Sequence, residues 1–174
     1  ERFFLVDPLD GTKEFTSRNG EFTVNIALIV KGTPVMGVVY APAIDQIFWG
    51  ENGKGAGSAK FKISDALDKI TWSPLQVRKP PSNGLTVVAS RSHMDAETTA
   101  YLATRKVKSL SSAGSSLKFC LIAKGEADLY PRFGRTMEWD TAAGQAVLEA
   151  AGGSVCNVDG TPLKYGKAGR GFDN

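Results

Sequence analysis

The 174-residue chain contains only two cysteines and one histidine, which argues against sites built from clusters of these residues. Cys120 and Cys156 lie in the apolar segments KFCLIA and GSVCNV, without a CxxC pair or a zinc-like spacing. Isolated cysteines in such segments usually pack as small hydrophobic side chains, so we expect both to be reduced and buried. Reduced cysteines favour a reducing compartment, and the predicted location is cytoplasmic.

Long apolar runs and blocks of like charge are also absent. No stretch approaches the roughly 18 apolar residues of a membrane span, so no transmembrane segment is predicted, although peripheral membrane association stays open. The 21 basic residues exceed the 18 acidic ones by three but are scattered along the chain. Such scattering is untypical of a nucleic-acid interface and suits a small anionic ligand at least as well.

Apolar segments separated by turn residues predict a layered α/β fold. We expect strands at 3–7, 22–32, 33–42, 45–51, 85–92, 107–112, 127–133 and 154–160, and helices at 94–106, 115–127 and 137–153. The glycine-rich residues 53–57 are interpreted as a turn, because they lack the ending of a phosphate-binding P-loop. Strands followed by strand–helix alternation indicate an α/β sandwich with mixed sheets, and no linker divides residues 1–174.

The segment FLVDPLDGTKEF places two carboxylates where an apolar strand ends. Pro8 fixes one backbone torsion and Gly11 relaxes another, so Asp7 and Asp10 can converge on one cation, with the Leu9 carbonyl between them. Oxygen ligands of this kind suit Mg²⁺ and disfavour zinc. The alternative is an ordinary Asp-rich turn.

A third candidate carboxylate is Asp140, in the segment MEWDTAAGQAVLEAAGG. It lies at the start of a predicted helix, where an anion is favoured by the helix dipole, and it could equally be a helix-capping carboxylate. The following residues Ala142, Ala143 and Gly144 are small and would allow this helix end to approach another backbone or a ligand closely.

Together, VDPLDGTKEF and WDTAAGQAVLEAAGG resemble the two signature motifs of the inositol monophosphatase-like, Mg²⁺-dependent and lithium-sensitive phosphatases. The resemblance covers essentially the whole chain and implies the layered α/β sandwich shared with fructose-1,6-bisphosphatase. The segments GTKEF, NGEFTVNIAL and GSSLKFCLIAKGEADLYPRFGRTMEWD are similar to the 3'(2'),5'-bisphosphate nucleotidase branch. This branch removes the 3'-phosphate from adenosine 3',5'-bisphosphate or its sulfated relative.

The resemblance also implies roles for individual residues at the metal end of the site. Two or three Mg²⁺ ions would be held by carboxylates and one carbonyl, and the substrate phosphate would contact the turn that follows. In this chain the metal ligands are then Asp7, Leu9, Asp10 and Asp140, and the phosphate contacts are Gly11 and Thr12, with Thr12 also orienting the attacking water.

At the nucleotide end the resemblance implies contacts from four polar residues. These are His93, Ser115, Lys118 and Arg132. Each has a plainer alternative: Ser115 as a helix N-cap, Lys118 and Arg132 as solvated charges, and His93 as a loop residue. Arginine offers two parallel donors to a phosphate, which favours the ligand role for Arg132.

Members of this family carry a further segment before the first motif, with two helices and a metal-binding glutamate. The chain is therefore interpreted as a part of one phosphatase domain without that helical layer, and we expect exposed apolar sheet surface where the helices would pack.

Two other functions stay open. One is an inositol or sugar monophosphatase, and the other is a catalytically silent module that binds cations or phosphorylated ligands.

Overall fold

The computed structural model describes residues 1–90, 95–167 and 171–174. Within these ranges the strands are β1 (Arg2–Asp10), β2 (Thr23–Val30), β3 (Thr33–Ala41), β4 (Gln46–Glu51), β5 (Gly55–Lys60), β6 (Ser73–Pro74), β7 (Leu85–Ala89) and β8 (Val107–Ser112). The α-helices are α1 (Thr12–Thr16), α2 (Ala96–Ala103), α3 (Leu117–Ala123) and α4 (Glu138–Ala150), and short 3₁₀ turns cover Pro42–Ile44 and Leu67–Lys69.

Strands β1 to β6 form one antiparallel sheet in sequence order. Strands β2 and β3 form a hairpin, and its two-residue turn consists of Lys31 and Gly32, both with positive φ. The pairing of β1 with β2 shifts register between Asp7 and Asp10. This irregularity releases the end of β1 from regular pairing just where the two aspartates lie.

Helix α4 covers one face of this sheet because two strand glycines let its backbone come close. A Cβ on Gly37 would lie 2.5 Å from the Ala143 carbonyl oxygen, and one on Gly50 would lie 2.6 Å from the Val147 Cα. The small residues predicted to permit a close approach therefore do so against β3. This packing fixes where the start of α4 lies relative to β1 and β2.

A second, smaller sheet completes the layers. Strands β7 and β8 pair in parallel, and α3 packs between this sheet and α4. The layered α/β architecture is confirmed, with antiparallel and parallel pairing in two different sheets. The predicted strands at 85–92 and 107–112 correspond to β7 and β8.

Two predicted strands are wrong in extent. Residues 127–133 form a single bridge from Leu129 to Val87, and residues 154–160 form one from Cys156 to Pro162. In the first case the Asp128 side chain accepts hydrogen bonds from the Thr86 amide and from Arg78, so side-chain bonds take over from a longer backbone ladder. In the second, the Asp159 side chain closes a turn onto Thr161.

The interpretation of residues 53–57 as a turn is wrong in its second half, because β5 begins at Gly55 and pairs with β4. Gly57 permits this pairing beside a large neighbour, since a Cβ there would lie 2.5 Å from the Trp49 indole nitrogen. Helix α1 had no sequence prediction. The other helices are shorter than predicted, and the N-cap of α2 is Asp95, whose side chain accepts from the Thr98 amide at 2.7 Å.

The prediction of two buried cysteines is half wrong. Both thiols are free, but only Cys120 is buried, while Cys156 is exposed. Cys156 lies in the short bridge that replaces the predicted strand at 154–160, so no sheet layer covers it. No helix in the described ranges combines the length and apolarity needed to cross a membrane.

The outer face of the large sheet carries the exposed apolar surface that the sequence predicted. Phe4, Val6 and Ile26 are 60%, 50% and 40% exposed, and they alternate with residues that face α4. Alternation of side chains along a strand means that one set faces the core while the other faces outward. Here both sets are apolar, except where Asp7, Thr23 and Asn25 face inward.

Candidate metal centre

Three carboxylates meet between the end of β1 and the start of α4. Asp7, Asp10 and Asp140 each offer an oxygen, and these oxygens lie within 4.8 Å of one another. The register shift in β1 turns Asp7 and Asp10 towards the same region, and the packing of α4 on the sheet brings in Asp140, its third residue. Three mutually close carboxylates repel one another unless a cation or a proton lies among them.

Each of the three carboxylates accepts hydrogen bonds from protein donors through one of its two oxygens. Asp7 Oδ1 accepts from the Leu9 amide at 3.0 Å, and Asp140 Oδ2 accepts from the Met137 amide at 2.8 Å. Asp10 Oδ2 accepts from Ser115 Oγ at 2.8 Å and from further donors. Within the described ranges, no donor reaches the second oxygen of any of them, so each carboxylate is oriented by the protein and retains one oxygen for a ligand.

The polar groups around Asp10 Oδ2 come from two distant parts of the chain. Asn25 Nδ2 and Ser116 Oγ both lie 3.2 Å from this oxygen, and Thr23 Oγ1 lies 3.5 Å away. Thr23, Asn25 and Ser116 are buried. Because buried donors are not exchanged for water, these contacts hold the carboxylate in one orientation.

The electrostatics of the cluster favour a cation. Burial, and then the nearby charges of Asp10 and Asp140, raise the pKa of Asp7 to about 6. Burial also raises the pKa of Asp140, with the Asp10 charge acting in the same direction. A bound divalent ion would neutralise this repulsion, and an all-oxygen donor set suits Mg²⁺. The residues present therefore fit the metal that the sequence predicted.

The turn after the carboxylates forms one wall of a cavity of about 220 Å³. Gly11 adopts a left-handed conformation, with φ 84°, and precedes Thr12, the first residue of α1. The cavity brings together Asp10, Gly11, Thr12, Ser115, Lys118, Arg132 and Asp140. Of the described residues predicted for the site, only Asp7 and Leu9 lie outside this lining.

The predicted metal ligand Leu9 lies in the irregular part of β1 between the two aspartates. The register shift leaves Leu9 without a partner residue on β2, and its amide is occupied by Asp7. Its carbonyl remains a predicted ligand.

Ser115 lies beside the three carboxylates, and the alternative of a helix N-cap is wrong for it. The cap of α3 is Ser116, while Ser115 has a positive φ of 54°. Its hydroxyl instead contacts Asp10 and forms a short contact with Thr23 Oγ1. A role in substrate binding remains a prediction for this residue.

Lys118 lines the cavity, but its ammonium group already has partners. Its Nζ donates to the Ser115 carbonyl at 2.7 Å and to the Ala113 carbonyl at 3.3 Å. The residue is 4% exposed, and this burial lowers its pKa to about 8. Lys118 is therefore not a solvated charge. Its two hydrogen bonds to backbone carbonyls stabilise the turn that carries Ser115.

Arg132 borders the same cavity and retains donor capacity. Its Nη2 donates to the Arg135 carbonyl at 3.1 Å, whereas its buried Nε finds no hydrogen-bond acceptor among the described residues. An unpaired buried donor is costly unless a ligand or water accepts from it. The predicted contact from His93 falls outside the described residues.

The sequence reasoning did not identify Thr23, Asn25 or Ser116 as parts of the site. The sequence does contain a pattern that could have identified Thr23 and Asn25, because both alternate with the apolar residues Ala27 and Ile29 on the buried face of β2. Polar side chains at core-facing strand positions need specific partners. Ser116 carries no comparable signal, since a serine before a helix is usually only a cap.

The chain is similar to known proteins over nearly its whole length. Residues 1–172 match the inositol monophosphatase family model. The sequence is 52% identical over 167 residues to the 3'(2'),5'-bisphosphate nucleotidase CysQ of Shigella flexneri, covering 95% of this chain and 63% of that protein. The chain thus spans less than two thirds of the length of this relative.

Two solved structures are similar as well. CysQ from Bacteroides thetaiotaomicron, a bacterial member of the inositol monophosphatase family, has a TM-score of 0.78 at 44% identity, over 87% of this chain and 59% of that one. An inositol monophosphatase from Anabaena (Nostoc) sp. PCC 7120 has a TM-score of 0.76 at 30% identity, over 94% of this chain and 63% of that one.

Proposed function

The chain belongs to the inositol monophosphatase family, and on this premise we propose that it is the metal-binding part of a Mg²⁺-dependent 3'(2'),5'-bisphosphate nucleotidase. The proposed reaction is hydrolysis of the 3'-phosphate of adenosine 3',5'-bisphosphate, or of its sulfated relative, to release inorganic phosphate. The observation that carries the proposal is the convergence of Asp7, Asp10 and Asp140, each oriented by protein donors.

In this proposal Asp7, Asp10, Asp140 and the Leu9 carbonyl hold two or three Mg²⁺ ions. When bound, the metal supplies activation of a water and charge neutralisation at the phosphoryl group. The chain's own residues place the substrate. Gly11 and Thr12 line the cavity beside Asp10, where backbone amides and the Thr12 hydroxyl can donate to phosphate oxygens.

The shape of the surroundings supports a substrate with a large organic part. A second cavity of about 760 Å³ adjoins the first, and Arg132, Tyr130 and Phe119 line both. Its walls include Tyr101 and Phe133, whose rings contact each other edge to face with centroids 5.3 Å apart. Aromatic walls suit a nucleobase, and Arg132 at the boundary suits a second phosphate.

The proposal is tested by substrate profiling of the longest gene product that contains this sequence. Phosphate release is measured from adenosine 3',5'-bisphosphate, from its sulfated relative and from inositol 1-phosphate, with Mg²⁺ and with EDTA. We expect the bisphosphate to be the best substrate and EDTA to abolish release. Preference for inositol 1-phosphate would show an inositol phosphatase instead, and metal binding without release from any substrate would show a silent binding module.

Arg132→Ala tests the nucleotide end of the site. It should lower kcat/KM for the bisphosphate by one to two powers of ten, because charge-assisted contacts contribute about 1.5–3 kcal/mol. The 3'-monophosphate, which has no second phosphate, should be much less affected. Arg135→Ala is the matched control, since its guanidinium pairs with Asp173 away from the cavity lining, and it should leave both substrates unchanged.

Lys118→Ala separates a ligand contact from a structural one. If the ammonium group binds the second phosphate, only the bisphosphate should lose activity. Equal losses for both substrates would assign Lys118 to the turn that carries Ser115, in agreement with its two carbonyl partners. Equal losses in Arg132→Ala as well would remove the residue-level support for the nucleotidase.

A further inference from the structure

Ser116 is the group at which two distant parts of the metal site meet. Its Oγ lies 3.2 Å from Asp10 Oδ2 and 2.9 Å from the backbone carbonyl oxygen of Asp140. Asn25 Nδ2 donates to the same Oγ at 2.9 Å. Ser116 therefore contacts the end of β1, the inner face of β2 and the first turn of α4 at once.

Protein groups satisfy the hydrogen-bonding capacity of the Ser116 hydroxyl. A serine hydroxyl has one proton to donate and lone pairs to accept with. Asn25 donates a hydrogen bond to Ser116 Oγ, and the single serine proton has two acceptors within reach, Asp10 Oδ2 and the Asp140 carbonyl oxygen. Ser116 is 0% exposed, so water cannot replace either contact without rearrangement of the surrounding backbone.

We propose that Ser116 is a positioning residue that sets the separation between Asp10 and Asp140 before a cation binds. This inference rests on the proposed metal site. Ser116 is absent from the lining of the cavity, so it acts through the two carboxylate residues rather than on the substrate. Groups that orient metal ligands in this way typically change metal affinity by about 10- to 100-fold when they are removed.

The proposal is tested by direct metal binding, with no substrate present. The probe is Mn²⁺, whose free concentration is measured by electron paramagnetic resonance during titration of the longest gene product that contains this sequence. Ser116→Ala removes the shared hydroxyl, and we expect the Mn²⁺ dissociation constant to rise about tenfold or more. Urea unfolding in EDTA reports separately on the stability of the metal-free protein.

Thr98→Val is the matched control because it also removes a buried hydroxyl. Thr98 lies on α2 and is as buried as Ser116, and no hydrogen bond joins it to the three carboxylates. It should leave Mn²⁺ affinity unchanged. Should Ser116→Ala fail to fold, Asn25→Ala probes the same junction from its other side, since Asn25 donates to both Ser116 and Asp10, and a comparable weakening is expected.

The outcomes separate the two proposals. A wild-type protein that binds no Mn²⁺ would overturn the metal site and the proposed function. Normal binding by the wild type, with Ser116→Ala less stable in urea but unchanged in Mn²⁺ affinity, would overturn only the positioning role and leave Ser116 as a packing residue. Weakened binding by Ser116→Ala beside an unchanged Thr98→Val supports it.

Discussion

The two faces of the large sheet are made by the same strands but differ in what covers them. On the inner face Ile29, Val39 and Phe48 are buried beneath α4, whereas Phe4 and Ile26 on the outer face remain substantially exposed. Apolar alternation alone does not distinguish the faces, because β1 and β2 carry apolar side chains on both of them. The difference arises from α4, which approaches only the face where Gly37 and Gly50 make room for it.

The inner face also changes character along its length. Towards the three clustered carboxylates its core residues give way to Asp7, Thr23 and Asn25, which are buried and hydrogen-bonded. Burial under α4 stabilises the fold at one end of this face and perturbs ionisable groups at the other. The same packing thus stabilises the fold and brings carboxylates close enough to repel one another, and a bound cation would reduce that repulsion.

The largest effect is expected at the polar end of the inner face. Asp7→Asn, Asp10→Asn and Asp140→Asn should each lower kcat/KM by about three powers of ten, or about 4 kcal/mol, because each removes one metal-ligand charge. The measurement is phosphate release from adenosine 3',5'-bisphosphate with Mg²⁺, with circular dichroism to verify folding.

Asp68→Asn serves as the control for these variants, since Asp68 is exposed in a 3₁₀ turn. It should retain full activity. If any of the three site variants kept more than about a tenth of the wild-type activity, the assignment of that residue as a metal ligand would be wrong.

The sequence allowed most of the inner face to be predicted. The strands corresponding to β1–β4, the helix corresponding to α4 and the three carboxylates follow from local patterns and two motifs. The strands and the helix are predicted by the spacing of apolar residues within short segments, and the two motifs are long enough to be specific. Local patterns do not show how distant segments pair. They predict a strand at 127–133, whereas this segment is held by one bridge and by the Asp128 side chain.

The residues that orient the three candidate metal ligands also cannot be predicted from local sequence patterns. Ser116 lies more than a hundred residues from Asp10 in the sequence. The segment GSSLKF gives no indication that the Ser116 hydroxyl contacts both the Asp10 carboxylate and the Asp140 backbone carbonyl. The sequence prediction for Lys118 is likewise incomplete, because its carbonyl partners depend on the turn conformation of Ser115. Chemistry-bearing residues were thus easier to predict than the groups that orient them.

The next effect in size concerns the apolar part of the inner face. Ile29 is fully buried in the main core, so Ile29→Ala should lower the free energy of unfolding by about 2–5 kcal/mol through lost burial and the cavity that remains. Urea unfolding monitored by circular dichroism measures this change. A loss under about 1 kcal/mol would show that α4 does not seal this face in solution.

A smaller effect of opposite sign is expected for Asp7→Asn without metal. Burial raises the pKa of Asp7 to about 6 in the folded chain, above its ordinary value of 3.8. The folded state therefore binds the proton more tightly than the unfolded state, and this group contributes less stability as the pH rises from about 4 to 6. Asn carries no charge, so Asp7→Asn should stabilise the metal-free protein at pH 7, on the order of 1–3 kcal/mol.

This pH dependence is measured by urea unfolding in EDTA at pH 4 and pH 7. The advantage of Asp7→Asn should shrink at pH 4, where Asp7 is largely protonated in the folded state. With saturating Mg²⁺ the wild type should regain stability because the cation binds only its folded form. A variant that is less stable than the wild type at pH 7 in EDTA would contradict the raised pKa.

The smallest effect is expected on the outer face, where Ile26→Ala is the matched counterpart of Ile29→Ala on the same strand. Ile26 is already partly exposed, so its truncation removes little buried apolar surface, and the remaining cost is the lower preference of alanine for strands, up to about 1 kcal/mol. The two variants are compared by urea unfolding in EDTA under identical conditions, which cancels errors common to both. Equal losses would mean that the outer face is covered in solution as completely as the inner one, and the contrast between the faces would then be wrong.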